Sequence, residues 1–470
     1  MLSLGMLILD AELRGEPCDV RLANGRITDV VPAGALTRAA GEESHDAAHG
    51  ALLPGLHDHH IHLMALSATA QSVSCGPPGV RTPGELARAL TDAKPRDGWI
   101  RGVGYHDSVA GPLDRHRLDA LRSDHPVRVQ HRSGACWSLN SAALARIGPL
   151  EPGLVGVERT PAGEATGRLF GLDAWIRTRL PRSAPPDLRA VGRELASFGV
   201  TGVTDATATN GAEALAHLED AVEAGDLPQR LHVMGTLELP NPSARRVVRA
   251  AHKVVLSERD LPDPDSLAER FRAAHDLGRT VAVHCTTRSE LVLACAAFTA
   301  TGTVPGDRIE HASIAPPEVT ALLSELELTV VTQPHFISER GDAYRREVAA
   351  EDRAWLYRGA GFCEAGVPLG GGTDAPFGAP DPWRAIAAAV DRITPDGEPL
   401  GAEEALTPER AVALFTSPPS APGGPPRTLE PGAPADLVLL DRPWAEARSR
   451  LDARLVRATW CEGERVYSAR

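Results

Sequence analysis

Aromatic side chains are scarce in this sequence, at 4% of its residues, so any sizeable core must be built mainly from Leu, Val and Ala. Basic runs are missing as well. The formal net charge is −13 and no dense Lys/Arg cluster appears, which argues against a nucleic-acid or anionic-membrane partner, since both demand a basic surface. No apolar run approaches the roughly 18–20 residues of a membrane span. The opening MLSLGMLILDAELRG lacks a basic leader and meets Asp10 and Glu12 too early for a signal peptide. None of the 7 cysteines forms a CxxC pair, so neither a disulfide framework nor a thiolate zinc site is expected, and a cytoplasmic location is. What remains is ample: 470 residues, 43% of them hydrophobic, suffice for one large catalytic domain with smaller attachments.

Both ends of the chain read as short strands. MLILDAEL precedes CDVRLANGRITDVV, where Asn24-Gly25 is a hairpin signal, and ADLVLLD and LVRATWCEGERVY close the sequence. Residues 1–52 plus 426–470 are therefore expected to form one composite β-sandwich domain. The middle alternates strands with helices: ALLPGLHDHHIHL, GVTGVTDAT, RLHVMGTL, AHKVVLS, TVAVHC, DRIEHA, LTVVTQPHF and VPLGGGTDA are strand-like. Helical patterns, SARRVVRA among them, lie between most of these. Eight such strands predict an α/β fold, a (β/α)8 TIM-like barrel over residues 53–75 plus 199–425. The long interval 76–198 carries strand candidates of its own and reads as an inserted α/β subdomain over the barrel mouth.

Catalytic groups in a barrel project from the C-terminal ends of strands. The first strand ends with His60 and His62, two apart and so on one side. Asp58 shares that parity and is placed to orient the pair from beneath; His57 and His59 have the opposite parity and read as supporting residues. The fourth strand buries Lys253, the fifth and sixth end at His284 and His311, and the eighth ends at Asp374. Singly, each has a bland alternative: a chance surface pair, a snorkelling lysine, a hydrogen-bonded histidine, a helix cap. Jointly they fall at strand ends that a closed barrel brings together. The donors are nitrogen and oxygen only, which suits a divalent metal, zinc first, with iron, manganese, cobalt or nickel as alternatives.

The ordered set PGLHDHHIHL, HKVV, AVHC, RIEHA and GGGTDAP resembles the amidohydrolase superfamily over nearly the whole chain. VRVQHRSGACWSLNSAAL, GVTGVTDA and VTQPHF resemble its N-substituted formamide deformylase-like branch. The resemblance implies that Lys253 is N-carboxylated and bridges two metals, with His60 and His62 on the more buried ion and His284 and His311 on the more exposed one. It places Asp374 beside the attacking water. The run His284-Cys285-Thr286-Thr287-Arg288 and the Ala135-Cys136 pair depart from the branch pattern in the substrate-facing region. His335, Arg288 and Trp137 are the candidate substrate contacts.

The expected chemistry is hydrolysis of an amide or N-formyl/N-acyl amine, a small-molecule substrate. A divalent ion brings the pKa of bound water from 15.7 to near ~7, and Asp374 takes the proton from water and returns it to the leaving nitrogen. A deaminase or ring-opening hydrolase would use the same groups, releasing ammonia or no separate amine. A scaffold that had lost its site would lack ligands, and none is lacking here. A homodimer is compatible with all three.

Overall fold

The computed structural model describes residues 5–181 and 185–469. These divide into two compact units, Met64–Asp187 and the remainder of the chain.

The larger unit is built around an eight-stranded parallel sheet. Its strands, in chain order, are β1 (Leu56–Ile61), β2 (Val200–Asp205), β3 (Arg230–Gly235), β4 (Val247–Val255), β5 (Val281–Cys285), β6 (Arg308–His311), β7 (Thr329–Thr332) and β8 (Leu369–Gly371). Neighbours in sequence are neighbours in the sheet throughout, the order of a (β/α) barrel. The sheet curls into a nearly closed barrel. Between β8 and β1 the join is made by backbone bonds just beyond the strands, from Asp374 N to His60 O at 2.7 Å and from His62 N to Ala375 O at 2.9 Å. Gly372 permits this approach, since a Cβ there would lie 2.5 Å from the Cβ of His60.

Most expected helices form where their patterns lie, and their starts are chemically marked. Thr287 and Glu290 make a reciprocal capping box for Arg288–Thr301, and Asp263 caps Pro264–Asp276, with proline in the first turn. One expectation fails. SARRVVRA does not form a helix; Val247 instead opens β4, paired with Leu231 of β3. Its adjacent β-branched Val247 and Val248 favour extended backbone, and a ladder to β3 rewards it. The expected first strand is also two. Leu52–Pro54 pairs with Leu437–Leu440 in a separate sheet, and the chain turns at Gly55, where a Cβ would meet the Thr201 side chain at 2.2 Å, before β1 begins.

Terminal segments form two four-stranded sheets, one from Met6–Leu13, Glu16–Ala23, Arg26–Pro32 and Glu43–Asp46. The other joins Leu52–Pro54 to Leu437–Leu440, Val456–Cys461 and Glu464–Ser468. Ile8, Val20, Leu437 and Trp460 belong to one apolar cluster drawn from both sheets.

The unit Met64–Asp187 carries a six-stranded mixed sheet with two apolar clusters. Among the described residues, no helix is long and apolar enough to cross a membrane.

Candidate metal centre

Three of the residues singled out by pattern converge. One ligand atom each from His60, His62 and Asp374 lies within 4.8 Å of the other two. His62 Nε2 is 3.1 Å and His60 Nε2 3.4 Å from the same Asp374 oxygen, Oδ1. His311 stands beside His60 with ring centroids 4.8 Å apart, and His284 beside His311 at 4.4 Å. His311 and Asp374 hold φ of 71° and 52°, left-handed conformations that side chains other than Gly seldom adopt.

Behind the cluster, the imidazoles of His60, His62 and His311 are tethered. Glu310 Oε2 is 2.5 Å from His60 Nδ1, and Arg308 Nε donates to Glu310 Oε1 at 2.6 Å. Burial alone would raise the Glu310 carboxyl, yet Arg308, Lys253 and His60 hold it well below the usual range, so it is an acceptor and His60 Nδ1 is the donor. Gln333 Oε1 accepts from His311 Nδ1 at 2.7 Å, its orientation set by its own amide, which donates to Val331 O. His62 Nδ1 lies 2.9 Å from Thr207 Oγ1. Asp58, fully buried, accepts from the backbone N–H groups of His60 and Thr373, both at 3.0 Å, and so ties β1 to the segment bearing Asp374.

These tethers decide what the cluster fits. With its Nδ1 proton committed to Glu310, and burial keeping the ring at about 3, His60 is neutral and turns an Nε2 lone pair toward the Asp374 carboxylate. Burial would raise that carboxyl too, but the hydrogen bond from His62 brings it below its usual range. Two lone pairs facing each other at 3.4 Å are favourable only with a cation between them. A divalent ion with nitrogen and oxygen ligands fits this donor set.

Lys253 is 4% exposed and its Nζ has no hydrogen-bond partner, the nearest carboxylate oxygen being Glu310 Oε1 at 3.9 Å. Burial lowers the amine to about 8. The remaining sequence candidates are not among the three residues whose ligand atoms converge. His335 opens a helix, His335–Glu347; its Nε2 donates to Thr373 O at 3.0 Å, and its Nδ1 is buried without a partner. Arg288 is exposed, paired with Asp352 at 2.8 Å. Trp137 belongs to the other unit and donates to Asp173 at 2.7 Å.

Glu310, Gln333 and Thr207 were not legible as site residues. Glu310 had a signal: a carboxylate inside the buried strand RIEH, sharing a strand face with Arg308, is as conspicuous as Lys253. Thr207 and Gln333 had none, because hydroxyl and amide side chains are common in loops.

The whole chain has known likenesses. It is 25% identical to the N-substituted formamide deformylase of Arthrobacter pascens over 495 residues, covering 90% of each protein. The structure of an uncharacterized metal-dependent hydrolase from Pyrococcus horikoshii OT3 superposes with a TM-score of 0.74 at 21% identity, over 98% of this chain and 99% of the other. That of N-isopropylammelide isopropylaminohydrolase from Burkholderia multivorans ATCC 17616 gives 0.55 at 18% identity, over 98% and 97%. The profile of the Amidohydrolase family matches residues 43–467, and the chain belongs to that family of hydrolases of carbon–nitrogen bonds.

Proposed function

We propose that the protein hydrolyses an amide or N-formyl/N-acyl bond of a small amine, with Asp374 as general base and then general acid. The observation that carries this reading is the convergence of His60, His62 and Asp374 with their outward nitrogens tethered. A divalent ion held there would supply Lewis acidity, acidifying water and polarising a carbonyl. Asp374 accepts the attacking water's proton on the oxygen nearest the two histidines. It then returns that proton to the departing nitrogen, without which an amine is a poor leaving group. Glu310 and Gln333 keep His60 and His311 in one tautomer and orientation. Lys253, its amine easily deprotonated, is the side chain suited to carboxylation, which would turn it into an oxygen ligand; His284 and His311 would complete a second ion's set. The 25% identity to a formamide deformylase supports an N-formyl amine as the first substrate to try. We also read the two terminal four-stranded sheets as one composite β-sandwich domain.

The test is a panel of N-formyl and N-acyl amines scored for released amine and for ammonia. Amine release supports the proposal. Ammonia without an organic amine would replace it with deamination, and turnover of esters alone would overturn it.

A further inference from the structure

Two guanidinium groups in the unit Met64–Asp187 stand without a matching carboxylate. Arg101 on strand Ile100–Tyr105 and Arg128 on strand Val127–His131 are register partners in a parallel pair, so both project from one face of the sheet. Both crowd the ring of Trp137, with Cζ atoms 5.7 Å and 5.0 Å from its centroid. Neither is exposed, and Trp137 is buried. Asp173 is the carboxylate whose field reaches them, and it already accepts from Trp137 Nε1. Among the described residues no ion pair joins it to either arginine. Arg101 donates to Ser72 Oγ at 2.9 Å, whereas among the described residues the Arg128 side chain makes no hydrogen bond, and its Nε is buried without a partner.

Charge does not balance here. Two cations share one carboxylate in a place largely closed to water, where an uncompensated charge is costly. Burial, and then repulsion from Arg101, pull Arg128 down to about 10, although arginine normally stays charged far above that. An aromatic face attracts a cation but carries no net charge, so Trp137 softens the imbalance without removing it. A purely structural stack would need one arginine, with its donors satisfied.

We propose that Arg101 and Arg128 form an oxyanion-binding site, taking a carboxylate or phosphate group beside Trp137. Planar guanidinium forks match such groups in paired hydrogen bonds, and an anion would both neutralise the surplus charge and occupy Arg128's vacant donors.

The experiment is calorimetric titration of the full chain with inorganic phosphate and, separately, acetate, in a buffer free of both. At least one should bind saturably to the wild type. Arg128→Gln should weaken that binding at least ~10-fold, as one bidentate partner is lost, and Arg101→Gln should do likewise. Whichever probe binds identifies the source of the oxyanion. Melting supplies a second readout. Without anion Arg128→Gln should melt no lower than wild type, while the anion should raise wild type by on the order of 2–4 °C and leave the variant unmoved. Failure of both probes to bind would overturn the proposal, as would binding by both variants as tight as that of the wild type. So would a melting loss in Arg128→Gln that ignores the anion, which would mark a structural stack.

Discussion

Imidazoles are buried in two regions of the barrel unit, and they are treated differently. At the C-terminal ends of the strands, His60 and His311 each give one nitrogen to a side-chain acceptor fixed by bonds of its own, leaving the other turned toward Asp374 or its neighbours. Earlier in β1, His57 and His59 bond to the hydroxyls of Thr204 and Ser417 and keep a buried Nδ1 with no partner. His57 and His59 pack ring against ring at 4.6 Å, and His57 meets His232 edge-on at 5.7 Å. Burial lowers the pKa of all three well below or toward the bottom of the histidine range, with Arg308 adding to it. His60 and His311 are oriented by a carboxylate and an amide; His57 and His59 are held by single hydroxyls and by packing. A ligand site shows itself by fixed acceptors behind its donors, and burial of histidine alone does not make one.

The comparison breaks most severely at Asp374. Asp374→Asn keeps the size and some coordinating ability but cannot take a proton, so kcat should fall by roughly 10²–10⁴ while metal content survives. Metal loss that tracks the whole activity loss would make Asp374 a ligand first. Next comes the tether. Glu310→Gln cannot accept from Arg308 and His60 together, and metal affinity should drop about 10–100-fold with the circular dichroism unchanged. Unaltered affinity would show that His60 needs no anchor.

The packed group offers a contrast in pH. His232 is held at about 4 by burial and then by Arg308 and Arg230, against 6.5 ordinarily. The unfolded chain therefore binds more protons between those values, and stability falls as pH drops through that window. Urea denaturation should show His232 contributing about 2 kcal/mol of that loss between about pH 7 and pH 5. His232→Gln should remove this share of the slope; a variant with the wild-type slope would refute it. Thr207→Val should be mildest. Losing one hydroxyl partner of His62 costs about 1 kcal/mol, or roughly fivefold in kcat/KM.

Much of this was readable beforehand because barrels repeat one rule. Polar residues ending apolar strands pointed to His60, His62, His284, His311 and Asp374, and a lysine in an apolar strand to Lys253; of these the structure brings ligand atoms of His60, His62 and Asp374 together. The register of β1 was not readable. Val203 faces Asp58 but Asp205 faces Ile61, a shift that a simple alternation of sides cannot foresee. The strand at Val247 was missed for a related reason: its arginines and alanines mimic helical spacing, and only the ladder to β3 decides the matter. Tethers such as Gln333 are set by distance in the fold, which no local pattern encodes.

The central claim is that His60 and its tethered neighbours hold a divalent ion. Elemental analysis of purified wild type and His60→Ala tests it most directly. The account predicts a stoichiometric divalent metal in the wild type and loss of most of it in the variant, with the fold intact because the barrel core, not the ion, holds so long a chain together. Full metal content in His60→Ala, or an active wild type free of metal, would contradict it.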